Sequence, residues 1–205
     1  ELGFSFDVVS TGMILSAEQA ALVSDFCEQS AKKGALVFVD PIMGDEGKLY
    51  NGVGEETIAH MRKMVAVADC IVPNYTEAAY LADMPYHEDM TEEEARALTI
   101  RLHEMGAKSV VVTSAKVDGE NCVVGYDGTE GDFFRIPFDL IPVRFVGTGD
   151  IFAAVMLGRL VDGVPLQEST RRAMDAVRTM IDRNRDKEDK YLGIPIETCL
   201  EVLDE

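Results

Sequence analysis

Short apolar runs separated by longer amphipathic stretches dominate the hydrophobic pattern of the chain. Three nearly continuous apolar runs have the length of a strand, and they cover residues 35–39, 70–72 and 109–113. Runs of this kind are typical of parallel strands that are buried on both faces. A further short strand is predicted near the start of the chain, over residues 6–11.

Helix signals lie between these runs. Thr91 and Glu94 have the spacing of a capping box, and Ser16 begins an earlier helix in a similar way. The predicted helices cover residues 16–33, 55–67, 91–105, 151–160 and 166–183, with another starting at Asn74 or Thr76 and a short closing helix from Pro195. An Asp127-Gly128 pair between β-rich runs predicts a hairpin. Strands that alternate with helices predict an α/β fold, with a mostly parallel central sheet and helices on both faces.

The composition is that of a globular protein with an acidic surface. The chain has 205 residues, 47% of them hydrophobic, so we expect a single domain over residues 1–205. The net charge of −18 argues against nucleic acid or an anionic membrane as the main partner, and no apolar run has the length of a membrane span. The negative charge does not exclude a phosphorylated ligand, because main-chain amides can bind phosphate within an acidic protein. The four cysteines are widely spaced and no export signal is visible, so we expect reduced thiols in a cytoplasmic protein.

Two glycines bracket a threonine in the stretch Gly147-Thr148-Gly149-Asp150, and an apolar helix follows. Without a Cβ, both glycines let the backbone turn tightly and approach a ligand. The amides at the start of the helix lack intrahelical partners, and together with the helix dipole they form an anion site. Asp150 suits such a site if its carboxylate takes a proton from a hydroxyl group that attacks a bound phosphate. The alternative is an ordinary helix N-terminus with an acid in its first turn.

Polar residues follow three of the predicted strands. Asp40, Asn74 and Thr113 each lie just beyond a strand, and the loop over residues 40–50 is rich in glycine and acids. Ligands of α/β proteins bind outside the carboxyl ends of the strands. We therefore expect these three loops to converge on one edge of the sheet.

Five segments together resemble the ribokinase-like small-molecule kinases, and most closely their pyridoxal kinase branch. They are Asp40-Pro41-Ile42-Met43-Gly44-Asp45, Gly47-Lys48-Leu49-Tyr50, Pro73-Asn74-Tyr75-Thr76-Glu77, Thr113-Ser114 and Gly147-Thr148-Gly149-Asp150. Their order and spacing match the family from about residue 8 to the end. The resemblance implies an enzyme of vitamin B6 salvage, which transfers a phosphoryl group from ATP to the 5′-hydroxymethyl group of pyridoxal, pyridoxine or pyridoxamine.

The resemblance also implies roles for single residues. Asp150 would be the catalytic base in contact with the substrate, and the amides of residues 147–149 would hold the charge that develops on the phosphate. Magnesium would be held by Asp45 and Glu77. The residues implied in ATP binding are Asp40, Tyr50, Val72, Asn74, Glu77, Thr113, Ser114, Arg135, Ile136, Pro137 and Phe138. The alternatives are that Glu77 only caps its helix and that Phe138 is a core residue.

Three features of the resemblance leave questions open. Val72 stands where some members have threonine at a site for a monovalent cation, K⁺ or Na⁺. Family members begin with further strands, a substrate-binding segment and a lid, which we expect to be missing from this chain. Gly12-Met13 replaces the Gly-Tyr pair common over the substrate ring, so Met13 is a candidate substrate contact.

The B6 kinase function therefore has two alternatives. A methionine at position 13 also resembles the hydroxymethylpyrimidine kinases of thiamin synthesis, which would share the mechanism but not the substrate. The other alternative is a catalytically silent relative that binds a nucleotide or a B6 vitamer, although such a binder would not need the carboxylate of Asp150. Members of the family are often homodimers, so we also expect a homodimer.

Overall fold

The computed structural model describes residues 4–203 of the chain. They fall into two compact units, the first ending at Phe138 and the second beginning at Asp139. The single domain over residues 1–205 stays a prediction. Within residues 4–203, none of the helices is both long enough and apolar enough to cross a membrane.

The first unit is organised by a six-stranded sheet. The strands along the chain are β1 (Val8–Thr11), β2 (Leu36–Val39), β3 (Gly44–Asp45), β4 (Lys48–Leu49), β5 (Cys70–Ile71), β6 (Ser109–Val117), β7 (Glu120–Asp127) and β8 (Asp132–Pro137). The main sheet has the order β1-β2-β5-β6-β7-β8, while β3 and β4 form a separate hairpin. Pairing is parallel from β1 to β6 and antiparallel from β6 to β8. The predicted α/β class with a mostly parallel sheet is confirmed.

Four helices pack in a row in this unit. They are α1 (Ala17–Ala31), α2 (Glu55–Val65), α3 (Tyr75–Ala82) and α4 (Glu92–Glu104), and each contacts the next. Alternate residues of the inner strands, such as Val37, Val39, Val110 and Val112, are buried in one hydrophobic cluster with residues of these helices. The predicted capping box at α4 is confirmed, because the Thr91 hydroxyl accepts from the Glu94 N–H and the Glu94 carboxylate accepts from the Thr91 N–H.

The second unit is built on two helices, α5 (Thr148–Val161) and α6 (Leu166–Asn184). They pack against each other, and their core includes Phe145, Ile151 and Met180. The predicted closing helix is instead a pair of short 3-10 helices, Ile196–Thr198 and Leu200–Leu203.

The third apolar run is longer than the sequence predicts. It was expected to end at Thr113, but β6 continues to Val117 because it pairs with β7 both before and after Thr113 and Ser114. The ladder is irregular between Val112 and Ala115, and Ser114 has a left-handed φ of 55°. This bulge removes Thr113 and Ser114 from the ladder with β7, which leaves both residues available at the sheet edge.

The predicted hairpin near Asp127 is confirmed, since β7 and β8 are antiparallel neighbours joined through residues 128–131. All four cysteines are free and buried, as expected for packed thiols.

Candidate active site

The three polar loops of the first unit meet at one edge of the sheet. The main-chain N–H of Asp40 donates to the Thr11 carbonyl at 3.1 Å, and that of Thr113 donates to the Pro73 carbonyl at 2.9 Å. Asn74 and Thr113 form a parallel bridge. Because β2, β5 and β6 are neighbours, Asp40, Asn74 and Thr113 lie side by side, and their predicted convergence is confirmed.

Glu77 is the buried acid at this edge, with 3% of its surface exposed. Its Oε1 accepts hydrogen bonds from the N–H groups of Met43 at 3.0 Å and Gly44 at 3.5 Å. Its Oε2 accepts from the Asn74 N–H at 2.8 Å, while the Asn74 Oδ1 accepts from the Glu77 N–H at 3.0 Å. Glu77 therefore caps α3, and it also holds the acidic loop, residues 40–50, so it does more than cap its helix.

The side-chain amide of Asn74 provides a second link between α3 and the same loop. Its Nδ2 donates to the Gly44 carbonyl at 2.8 Å. A Cβ at Gly44 would lie 2.5 Å from the Lys48 carbonyl, so the hairpin of β3 and β4 closes only with glycine there. Further along the loop, the N–H of Tyr50 donates to the Met43 carbonyl at 2.9 Å. The loop that carries Asp45 is therefore held mainly by the first turn of α3.

Burial decides the electrostatics of this edge. It is the largest cause that raises the pKa of Glu77 to about 7, a value to which the nearby charge of Asp40 also contributes and which hydrogen bonds from Met43, Asn74 and Gly44 keep from rising further. The charged form of Glu77 is therefore costly here unless a cation compensates it.

The carboxylate oxygens of Asp45 and Glu77 are of the kind that magnesium binds, since Mg²⁺ prefers oxygen ligands and keeps several of its waters. Among residues 4–203, no group of three or more His, Cys, Asp and Glu side chains is arranged to hold a metal. An ion held by Asp45 and Glu77 would therefore complete its shell with water and phosphate oxygens, and the roles of both residues stay predictions.

The remaining predicted residues of this edge differ in exposure. Ser114 is exposed and Thr113 half-buried, while 43% of the Tyr50 side chain is exposed. Val72 is buried and has no side-chain oxygen, so only its main chain could contact a monovalent cation. Met13 lies just beyond β1 and is 48% exposed, which makes it accessible to a ligand.

The predicted adenine segment lies at the end of β8. The guanidinium of Arg135 pairs with Glu120 at 2.8 Å and Asp118 at 3.3 Å and also donates to the Val117 carbonyl at 2.7 Å. These partners give Arg135 a structural role that the sequence did not indicate. Of its neighbours, Ile136 is buried, Pro137 exposed and Phe138 half-buried, and the adenine contact of the segment stays a prediction.

The glycine turn of the second unit has the predicted local geometry. Gly147 precedes α5 with a left-handed φ of 83°, and no side chain caps the helix. A Cβ built on Gly149 would meet no heavy atom within 4 Å, so the backbone is open to a ligand. Asp150 is exposed in the first turn. The first turn of α5 thus presents an accessible carboxylate beside accessible main-chain amides.

Thr76 is a site residue that sequence reasoning missed. Its hydroxyl Oγ1 accepts a hydrogen bond from the Gly47 N–H at 2.8 Å, although nothing but its place beside Glu77 hinted at this contact. Thr76 therefore adds a third link between α3 and the acidic loop.

Comparison with known proteins gives consistent matches. The sequence model of a family described as phosphomethylpyrimidine kinase matches residues 2–193. A pyridoxal kinase from Arabidopsis thaliana is 32% identical over 171 residues, which cover 80% of this chain and 53% of the relative. The chain thus spans about half the length of the curated relatives that it matches.

Solved structures show the same fold. A candidate phosphomethylpyrimidine kinase from Bacteroides thetaiotaomicron is 33% identical, and its two crystal forms have TM-scores of 0.95 and 0.92. The match covers 100% of this chain and 71% or 73% of the other chain, and the second form contains pyridoxal. A pyridoxal kinase from Lactobacillus plantarum has a TM-score of 0.84 at 28% identity, covering 98% of this chain and 72% of that one. The ribokinase-like fold is therefore confirmed.

Replacing Glu77 separates a metal role from a capping role. Glu77→Gln removes the charge but keeps an amide oxygen for the cap, so we expect the half-saturating Mg²⁺ concentration for turnover to rise by about tenfold. Glu94→Gln is the matched control, because Glu94 is the equivalent acid in the capping box of α4. A magnesium titration of Glu77→Gln that coincides with that of Glu94→Gln would leave Glu77 with its structural roles alone, which are the cap of α3 and the bonds to Met43 and Gly44.

Adding a side chain to the glycine turn tests the anion site. Gly149→Val places a branched side chain in the open space beside the amides, so we expect nucleotide affinity to fall by about 10- to 100-fold, the equivalent of one lost hydrogen bond to a charged group. Gly158→Val is the control, because Gly158 lies on the same helix and also has open space around its Cβ position. Calorimetry with ADP measures both, and equal affinities would show that the turn does not bind phosphate.

Proposed function

The chain belongs to the phosphomethylpyrimidine kinase family, and from this premise we propose that it is an ATP-dependent kinase for the 5′-hydroxymethyl group of pyridoxal, pyridoxine or pyridoxamine. Two comparisons support this substrate class. The Arabidopsis relative is named a pyridoxal kinase, and the Bacteroides protein was crystallised with pyridoxal. The reaction would return B6 vitamers to their phosphorylated forms.

The observation that carries the proposal is the first turn of α5. Asp150 is exposed there, directly after a turn whose Gly149 has no neighbour around its Cβ position. A carboxylate beside accessible amides suits a base that deprotonates a hydroxyl group while the amides hold the phosphate that it attacks. A plain phosphate cradle would gain nothing from this acid, because its charge repels the ligand.

The proposed mechanism gives each residue one task. The carboxylate of Asp150 accepts the proton of the vitamer hydroxymethyl group as its oxygen attacks the γ-phosphorus of ATP. The amides of residues 147–149 hold the negative charge that develops on the transferred group. Asn74, Thr113 and Ser114 orient the phosphates, and Asp40 and Tyr50 line the nucleotide side, with adenine near residues 135–138. Asp45 and Glu77 would hold magnesium, which neutralises phosphate oxygens when it is bound.

The second candidate function is hydroxymethylpyrimidine kinase. Met13 favours it, because this exposed methionine stands where B6 kinases commonly have tyrosine, and the family description names the pyrimidine substrate. Both candidates use the same base and the same phosphate contacts, so they differ only in the aromatic ring that is recognised.

The setting of the enzyme is part of the proposal. Four free, buried cysteines are consistent with a reducing compartment, so we place the protein in the cytoplasm, acting on small molecules rather than on nucleic acid or membrane. A homodimer and a site for K⁺ or Na⁺ complete the proposal.

Turnover on three acceptors, measured beside Asp150→Asn, tests the function. The full gene product should consume ATP with pyridoxal, more slowly with hydroxymethylpyrimidine, and not with ribose. Asp150→Asn should lower turnover by about 10³-fold and leave ATP affinity nearly intact, because the amide cannot take the proton. Asp162→Asn, at the other end of α5, is the matched control and should behave as the wild type.

Each other outcome has a definite meaning. Turnover on the pyrimidine alone would keep the mechanism and move the protein to the second candidate function. Near-normal turnover of Asp150→Asn would remove Asp150 as the base. ATP binding without turnover on any acceptor would indicate a nucleotide-binding relative without catalysis.

A further inference from the structure

The turn between β3 and β4 has an unusual backbone. Its two central residues, Glu46 and Gly47, both have left-handed φ angles, 52° and 77°. This is the pattern of a type I′ hairpin turn, which normally has asparagine, aspartate or glycine at its first position. A glutamate there costs conformational energy, so contacts from outside the hairpin must help to hold the turn. The residue before the turn is Asp45, the predicted magnesium ligand.

The ring of Tyr86 packs against this turn. A Cβ built on Gly47 would lie 3.0 Å from two carbons of the Tyr86 ring, so the ring rests directly on the Gly47 backbone. The Gly47 N–H also donates to the Thr76 hydroxyl at 2.8 Å. The turn is therefore held both by the start of α3 and by an aromatic ring from the connection between α3 and α4.

Tyr86 is itself held in place. Its ring stacks on that of Tyr75, with centroids 4.8 Å apart and planes at 26°. The hydroxyl oxygen of Tyr75 accepts a hydrogen bond from the His87 N–H at 3.1 Å, which fixes the connection next to Tyr86. Tyr75 is buried in the first turn of α3, two residues before Glu77. The Tyr75–Tyr86 stack thus ties the hairpin turn to the helix that carries Glu77.

The charges of three acidic residues act on the hydroxyl group of Tyr86. Burial is the main cause that raises the pKa of Tyr86, and the charges of Asp45, Glu88 and Glu46 raise it further. Tyr86 is nevertheless 40% exposed, so its ring is not part of the closed hydrophobic core. A half-exposed ring that covers a strained turn beside Asp45 is better placed to orient that turn than to stabilise the fold.

We propose that Tyr86 is a positioning residue, which acts through the Gly47 turn to set the Asp45 carboxylate for the magnesium–nucleotide complex. This inference rests on the proposed function, in which Asp45 holds the metal. Without the ring, the Glu46-Gly47 turn loses a contact that opposes its strain, and the Asp45 carboxylate, whose Oδ1 accepts from the Glu46 N–H of this turn at 2.9 Å, shifts with it. The effect falls on magnesium and nucleotide rather than on the vitamer.

Calorimetry with Mg²⁺·ADP tests the inference without requiring turnover. Tyr86→Ala should weaken binding of Mg²⁺·ADP by about tenfold, the lower end of the effect of residues that orient metal ligands. Tyr86→Phe keeps the ring and its contacts with Gly47 and Tyr75, so it should bind as the wild type does. Phe26→Ala is the matched control, because Phe26 is a similarly exposed aromatic residue on α1. In turnover assays of Tyr86→Ala, the KM for pyridoxal should stay within about twofold of the wild type.

A double-mutant cycle separates positioning from general loss of stability. If Tyr86 acts through Asp45, Tyr86→Ala should have almost no further effect on Mg²⁺·ADP affinity in an Asp45→Asn background. Additive effects in the cycle, or an unchanged Mg²⁺·ADP affinity of Tyr86→Ala, would overturn the inference. A wild type that binds Mg²⁺·ADP but phosphorylates no acceptor would refute the proposed function alone. If Tyr86→Ala does not fold, Tyr86→Leu, which lacks a flat ring for the stack, replaces it in the same cycle.

Discussion

The hydrogen-bonded carboxylate of Glu77 is the interaction on which the sheet edge with Asp40, Asn74 and Thr113 depends. It is buried, and its two oxygens accept hydrogen bonds from Met43, Gly44 and Asn74. Met43 and Gly44 belong to the acidic loop, whereas Asn74 is the N-cap of α3. The Glu77 side chain therefore joins this loop to the start of the helix. Burying a charged carboxylate is unfavourable because the charge loses its hydration, and a cation bound beside Glu77 would offset this loss.

The acidic loop is arranged around that carboxylate. The side chains of Asn74 and Thr76 bond to its main chain at Gly44 and Gly47, and the ring of Tyr86 covers the turn between them. All of these contacts come from α3 or from the connection that follows it. The start of α3 therefore fixes the conformation of the loop, and a substitution in the first turn of the helix would shift the main chain at Asp45.

Local signals in the sequence predicted much of this arrangement. The Thr91 capping box, the starts of the three apolar strands and the glycine turn before α5 each depend on residues close together in the chain, and each lies close to where the sequence predicts it. The end of β6 was missed because its pairing with β7 depends on partners across a hairpin. The ion pairs of Arg135 and the contact between Tyr86 and Gly47 join residues far apart in the sequence, and no sequence motif predicts either of them.

The central claim, that burial makes the charge of Glu77 dependent on a bound cation, is tested most directly by titrating its side-chain carboxyl carbon by NMR, with Glu77→Gln to assign the signal. In the metal-free protein the midpoint should lie near pH 7, because burial raises the pKa of Glu77 to about 7. The pKa of Glu77 is then higher in the folded protein than in the unfolded chain. The free energy of unfolding should therefore fall as the pH rises from the ordinary value of 4.5 to about 7. Adding Mg²⁺·ADP should move the midpoint down. A midpoint near the ordinary value for glutamate, unchanged by Mg²⁺·ADP, would contradict the account.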